Sequence, residues 1–402
     1  VSRPHAMGAP GPQRLAVWEA VTPLGRAVAV TGVVALGVAW RTGWTELAVL
    51  GVACSSSLAI GLTFLVASRA GLSVALELGT PRVVVGNPAS TKVTATNIVG
   101  RRTMPVTLET RIGEGVARHD VPSLAAEGSY DDLVVIATSR RSIVPVGPVR
   151  SVQGDPLGLV RREVTYTGEE QLFVHPKTVL VGSLTTGWRR DLEGETTNER
   201  SPSDVAFHTL REYVIGDDRR HIHWRTTARQ PDGKLMVREF VDTRRAHLGL
   251  LLSLRGGDYA TVDEFELAVS SLGSFGLRAI ADEQEVSCVA GIRAVPSHMG
   301  TSFLDALSSL ELGADSSDMV AIATRARDLL VGASVVVLIS GSRADRAAMR
   351  QAAERLGSGV RPVIVEAAMG EVSVLQNTKR GPFLRVGALE DLPRLTWSVS
   401  LA

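Results

Sequence analysis

His221 and His223, set just after the acid pair Asp217-Asp218, are the groups in this chain best suited to proton transfer or metal ligation. Such a group would serve a hydrolase, with imidazole as base or ligand and a carboxylate as its partner. Local geometry opposes that use. On a helix, residues two apart point to different faces; on a strand the histidines share a face, but Asp217 lies too far along. The same block holds Arg211, Tyr213, Gly216, Arg219, Arg220, Ile222, Trp224, Arg225 and Arg229. Gly216 can end one element, Asp217 or Asp218 can cap a helix starting there, and Lys234 to Phe240 alternates as a strand does. Ile222 and Trp224 then serve as buried anchors or face a partner. The arginines offer guanidinium forks to nearby carboxylates or to an acidic partner. From Arg211 to Arg245 nine Lys/Arg alternate with six acids, which predicts a solvated, salt-bridged face.

Elsewhere the chemistry is sparse. No G-x-S-x-G elbow, Walker motif or H-E-x-x-H occurs, so an enzyme would have to use chemistry that the sequence does not advertise. Glu264, Glu266, Asp282, Glu283 and Glu285 flank one predicted helix, and helical spacing puts several of them on its solvent face. Cys54 and Cys288 are far apart and lie in apolar runs, which predicts two inert core thiols and neither a disulfide framework nor a zinc site. The 43 Lys+Arg and 42 Asp+Glu give +1, which excludes the global charge excess of a protein that wraps nucleic acid.

The elements around this block divide a multidomain chain of 402 residues. Its mean hydropathy of +0.14 is high for a purely soluble protein, and the excess sits near the N-terminus. Leu47 to Ser68 is uncharged over 22 residues, enough to cross a bilayer as a helix. Ala27 to Trp40 is a shorter uncharged run that reaches spanning length with Leu24 and a snorkelling Arg26. Trp40 and Trp44 bracket the turn between them, as an interfacial belt would. A transmembrane helical hairpin over 24–70 follows, preceded by a disordered cytosolic tail over 1–23. A cleavable signal peptide fits less well, because a full-length span follows at once and no small-x-small site separates the two. Arg3, Arg14, Arg26, Arg69 and Arg82 flank the hairpin while only Arg41 lies in its turn. The positive-inside rule then predicts a multi-pass protein of the cell membrane, with both termini and the bulk of the chain cytoplasmic.

From 71 to 170 short β-branched stretches alternate with Gly, Pro and Asn turns, predicting a small antiparallel β-sandwich with no acidic or histidine cluster. Residues 171–245 read as a linker and the polar block, with Gly194 to Asp204 as a mobile loop. From 246 to 402 near-continuous apolar strands alternate with amphipathic helices, predicting a Rossmann-like α/β domain. No G-x-G-x-x-G turn follows its first strand, so no cofactor is expected.

The pattern L-R-E-Y-x-x-G-D-D-x-R-x-I-H-W-x-x-x-A-R from Leu210 to Arg229, followed by L-M-V-R-E-F, resembles the signature of bacterial proteins carrying the domain of unknown function 58 (DUF58). Gly147-Pro148 and Asp155-Pro156-Leu157-Gly158-Leu159 resemble that family's D-P-F-G-L turn, with Leu157 in place of Phe. The resemblance covers about residues 24–390. It implies a membrane hairpin, a β-rich segment, the signature and a von Willebrand factor A-like domain. It also implies a non-enzymatic adaptor for a MoxR-type AAA+ ATPase, with a transglutaminase-like membrane protein as a second candidate partner. Arg211, Tyr213, Gly216, Asp217, Asp218, Arg220, Ile222, His223, Trp224 and Arg229 are the partner-binding residues it points to. A metal-binding A domain needs D-x-S-x-S, a Thr and a later Asp. At those places stand Ser253-Leu-Arg255-Gly-Gly257, Thr301 and Ser340-Gly341, so both carboxylates are missing and no metal is expected. A membrane-bound hydrolase using Asp217, His221 and His223 is the alternative, and a protein that only oligomerises through Gly51, Ser55, Ser56, Ser57 and Gly61 is a third reading.

Overall fold

The computed structural model describes residues 20–67, 71–155, 157–184, 205–214, 219–229, 232, 234–242, 247–357 and 359–401. The expected tail over 1–19 and the expected mobile loop over 194–204 lie outside the described residues. Two compact units divide the chain at His175/Pro176.

The first unit opens with two antiparallel helices, α1 (Pro23–Thr42) and α2 (Thr45–Ala67). Thr22 caps α1 by accepting the Gly25 N–H, and Pro23 occupies a first-turn position where a missing N–H costs nothing. Gly43, at φ 77°, closes α1 by donating its N–H to Ala39 O at 2.8 Å, a left-handed conformation that suits glycine. The helices meet where Gly32 faces Cys54, so Cys54 lies half-buried in the helix pair, a correction to the expected core thiol. Val30, Val33, Val34, Val49, Val52 and Ile60 are exposed around the pair.

A sandwich follows. β1 (Leu72–Leu78), β3 (Ala89–Asn97) and β6 (Ser129–Ile136) form one sheet. The other has the order β2 (Arg82–Val84), β9 (Glu170–His175), β7 (Ser142–Gly154), β4 (Val106–Ile112), β5 (Gly115–Val121), with β8 (Arg161–Thr165) paired to β7. Alternate residues of both sheets, among them Leu76, Val93, Leu108 and Leu172, share one core. The expected antiparallel pattern has an exception, the parallel pair β2–β9. Within this module His119 holds a polar contact between the sheets. It is buried, with Nδ1 2.7 Å from Asp132 and Nε2 3.0 Å from Thr110, so it links the two sheets.

Two boundaries differ from the sequence reading for packing reasons. Ala20, Val21 and Thr22, assigned to the tail, are built in: Val21 is buried and bridges to Val160. β9, assigned to the linker from residue 171, is a central sandwich strand.

In the second unit β10 (Val205–Glu212) pairs with β11 (Met236–Asp242) as an antiparallel hairpin around the signature. The remaining strands are β12 (His247–Leu252), β13 (Glu285–Ala290), β14 (Arg293–Val295), β15 (Val335–Gly341), β16 (Arg361–Ala367), β17 (Val374–Thr378) and β18 (Gly381–Val386). They form one sheet in the order β14-β13-β12-β15-β16-β18-β17, parallel except at its two edge strands. Five helices cover it: α4 (Val262–Ala281), α5 (Gly300–Ser308), α6 (Met319–Ala326), α7 (Arg346–Arg355) and α8 (Leu392–Leu401), numbered after α3 (Trp224–Thr227) in the signature. Residues of α4, α5 and α8 share one core with the sheet, and those of α6 and α7 a second. Both faces being covered, every residue of β12 and β15 is buried, which explains their unbroken apolar sequences. Val181 and Leu184, placed in the linker by sequence, pack into the first of these cores.

Candidate functional site

The signature folds back on its own hairpin. Tyr213 N–H donates to Leu235 O at 2.8 Å, His223 N–H to Met236 O at 2.8 Å, and Met236 N–H to Thr227 Oγ1 at 3.0 Å. Ile222 bridges to Val237, and both are buried, so Ile222 is the anchor of the segment. Trp224, two residues on, is 66% exposed. Gly216, Asp217 and Asp218 lie outside the described residues.

The expected helix cap at Asp217 or Asp218 lies outside the described residues. Arg219–His221 is a single 3-10 turn, and α3 begins at Trp224 with His223 as its N-cap. His223 Nδ1 accepts the Thr226 N–H at 3.3 Å and lies 2.7 Å from Thr226 Oγ1. An acceptor Nδ1 leaves the proton of the neutral ring on Nε2. This ring is tied down as a cap, a role that spacing alone does not reveal. Arg211 Nη1 donates to Glu212 O at 3.1 Å, and Arg220, Arg225 and Arg229 are exposed. The structure thus gathers Ile222, His223, Trp224 and the nearby arginines into one short, hydrogen-bonded segment.

A second polar group forms where β12 and β15 end side by side. At this point the chain leaves β12 in one direction along the sheet and later returns on its other side, the crevice where open α/β sheets take ligands. Ser253 Oγ donates to Asp258 Oδ2 at 2.6 Å, and Ser340 Oγ lies 3.4 Å from the same oxygen. All three residues are buried. Asp258 is a buried carboxylate that the sequence did not single out. It stands five residues after Ser253, and the turn Gly256–Asp258 folds it back over the strand end. The adjacent glycines Gly256 and Gly257 were the available signal. Gly341 admits this closeness, because a Cβ there would sit 2.5 Å from Asp258 O. One carboxylate and two hydroxyls are hard oxygen donors. Here they satisfy one another, while Arg255 and Thr301 are exposed.

Glu264, one of the acids flanking that predicted helix, is 2% exposed. Its Oε2 accepts the Ala260 N–H and its Oε1 the Ser342 N–H at 2.9 Å, joining the loops after β12 and β15. Tyr259 donates to Ser253 O at 2.7 Å. Burial, then the charges of Asp258 and Glu264, push its phenol well above its ordinary 10.0. A raised phenol pKa contributes stability that is complete below 10.0 and is lost as pH climbs from there toward the folded value. Alkaline titration of thermal stability should therefore show a slope above that pH which Tyr259→Phe flattens. An unchanged slope in the variant would place the alkaline effect elsewhere. Burial also raises the Cys288 thiol, leaving it a poor nucleophile.

Among the described residues no three His, Cys, Asp or Glu side chains gather as a metal cluster. A cavity of about 850 Å³ lies over β16 and β18 beside α7. β16 and β18 are parallel but are joined through the edge strand β17 instead of a crossover helix. Arg346 and Glu366 line the cavity, and the buried Glu366 accepts from Arg346 Nε at 3.0 Å and from Arg385 Nε at 2.8 Å.

Residues 209–366 match the family described as protein of unknown function DUF58. Over this stretch the chain is similar to DUF58 proteins. The matched stretch runs from within β10 to within β16, so most of the signature hairpin and the Ser253, Asp258 and Ser340 group fall inside it. The uncharacterized protein YeaD of Bacillus subtilis (strain 168) is 28% identical over 189 residues, 43% of this chain and 46% of that protein. The chain therefore spans less than half of that relative. Among solved structures, the CARDB domain of the PF1109 protein from Pyrococcus furiosus is 15% identical over 26% of this chain and 91% of its own, with a TM-score of 0.21. The alkylpurine DNA glycosylase AlkC of Pseudomonas fluorescens is 11% identical over 33% and 41%, with a TM-score of 0.20. Likenesses at those TM-scores assign neither fold nor activity.

Proposed function

We propose that this DUF58 protein is a membrane-anchored, non-enzymatic adaptor whose signature segment docks a partner, a MoxR-type AAA+ ATPase, on the cytoplasmic side. The single observation that carries the reading is Trp224. An aromatic ring 66% exposed, on a segment pinned by a buried Ile222, a His223 cap and three hydrogen bonds to β11 and its flank, has little ordering entropy left to lose on binding. Flanking arginines add the forked donors that recur at interface hot spots. The helical pair supplies the anchor. Both helices have the length and apolarity to cross a membrane, and only 22% and 11% of the two windows are buried, unlike core helices. In this reading the α/β part is von Willebrand factor A-like, with Ser253, Asp258 and Ser340 at its ligand-facing edge. A hydrolase centred on His223 has less support, because its Nδ1 is committed to Thr226.

The test is cross-linked affinity purification of the full-length protein from native membranes, beside Trp224→Ala. An exposed side chain can be truncated with little effect on folding, whereas an aromatic hot spot costs ~2–4 kcal/mol of binding, roughly 30-fold or more in affinity. Recovery of an AAA+ ATPase with wild type, reduced to background in the folded variant, is expected. Equal, ATPase-free recoveries would remove the docking role.

A further inference from the structure

The turn that resembles D-P-F-G-L does more than reverse the chain between β7 and β8. It grips the base of the helical pair. Thr22, the cap of α1, donates its hydroxyl to Gly158 O at 2.7 Å and its N–H to Leu159 O at 3.0 Å. Val160 is fully buried against Ala20 and Val21, with Leu58 and Leu62 of α2 alongside. A Cβ on Gly25 would stand 2.1 Å from Leu159 O, so the approach of turn to helix depends on glycine there. Beside this joint lies a cavity of about 370 Å³, lined by Ala20, Val21, Thr22, Pro23, Arg26, Arg161, Arg162 and Glu163.

Charge and position give this cavity a meaning. Three guanidinium groups and one carboxylate line it, and that carboxylate is already held by Arg161 at 2.7 Å. Arg162 Nε is buried and has no hydrogen-bond partner among the described residues. A buried guanidinium N–H without an acceptor is costly, and an anionic oxygen seated in the cavity would supply one. The cavity also sits at a defined depth. It is level with Pro23, the first residue of the α1 span, and the α2 span ends at Thr63, so the cavity marks the end of the apolar slab where lipid phosphates lie. Leu24 and Leu157, 56% and 59% exposed, offer apolar side chains at the same end.

We infer that this cavity binds the phosphate of an anionic phospholipid headgroup, with Arg161 and Arg162 as its forked donors and Arg26 snorkelling from the first turn of α1. The bound lipid would lock the helical pair to the sandwich through the turn that lines the same pocket. The inference rests on the membrane reading of the pair. Its test uses the full-length protein in nanodiscs of phosphatidylcholine doped with phosphatidylglycerol, with the lipids that leave with the protein counted by native mass spectrometry. Wild type is expected to retain phosphatidylglycerol over phosphatidylcholine. The Arg161→Gln/Arg162→Gln variant is expected to lose that preference roughly tenfold or more, as removal of two basic groups at an anionic surface requires. Arg162→Lys, which keeps the charge but removes the fork, is expected to fall between them and carries the test if the double variant does not fold.

Absence of phosphatidylglycerol enrichment, or equal enrichment in the variants, overturns the site. Displacement of the lipid by millimolar inorganic phosphate would assign the cavity to a free anion and overturn the lipid as its occupant. Alkaline carbonate extraction of native membranes separates the two levels of argument. Release of the protein would remove the membrane reading and this inference with it, whereas retention without lipid selectivity would overturn the headgroup site alone.

Discussion

Glu264→Ala is expected to destabilise the C-terminal unit by about 3–4 kcal/mol, a loss of roughly 10 °C in melting temperature for a unit of this size. The carboxylate is 2% exposed and accepts two backbone N–H groups, Ala260 before α4 and Ser342 after β15. Alanine leaves both donors buried without an acceptor, and hydrogen bonds to a charged group are each worth about 1.5–3 kcal/mol. Glu264→Gln keeps one acceptor and turns an amide N–H toward the other donor, so it should lose about half as much. The loss has a local consequence. Those two loops hold Gly341 against Asp258 O, so their release should loosen the Ser253, Asp258 and Ser340 group. Thermal unfolding of the purified protein checks the magnitude. A melting temperature for Glu264→Ala within 2 °C of wild type, roughly half a kcal/mol, would mean that the loops are held by something else.

The second large effect is at Asp155. This carboxylate is buried and accepts the Leu157 N–H at 3.1 Å and the Val160 N–H at 2.7 Å, while Asp155 O accepts the Gly158 N–H at 3.0 Å. It therefore shapes the turn that carries Gly158 O and Leu159 O to the Thr22 cap. Asp155→Ala is expected to cost about 2–3 kcal/mol, concentrated at this joint. Local opening should rise roughly 30-fold or more, read as faster tryptic cleavage after Arg161 and Arg162 in the solubilised full-length protein. Sandwich strands remote from the joint, such as β1 and β3, should keep their hydrogen-exchange protection. Unchanged cleavage would show that Val160 burial alone seats the turn, and global loss of protection would show that Asp155 supports the whole sandwich.

The two effects mark the limits of reading this chain residue by residue. Both carboxylates stand in plain view in the sequence, Glu264 flanking a predicted helix and Asp155 in a turn with a family resemblance. What distinguishes Glu264 from its neighbour Glu266 is a contact with Ser342, 78 residues on. Helical spacing did not mark Glu264 as buried, because periodicity registers the position of a residue on its own helix and nothing about which loop arrives over its N-terminus. His223 shows the opposite case. Its role as a cap is local, three residues from its partner, but the helix it begins is only one turn long, too short for a periodic pattern to announce.

Sequence alone was enough for the features that depend on neighbours within a few residues. The two apolar helices follow from uncharged runs of spanning length, the sandwich strands from alternation, the buried strands β12 and β15 from unbroken apolar runs, and the resemblance to DUF58 from a long contiguous signature. Only the tertiary structure decided the arrangement of the polar groups. Ser340 lies 82 residues from the Asp258 it meets, and Thr22 lies 136 residues from the Gly158 carbonyl it caps. Chain stiffness and periodicity extend over one element, whereas these contacts are set by which strand ends lie side by side once apolar faces are buried. Their residues carry no mark in the sequence until packing brings them together.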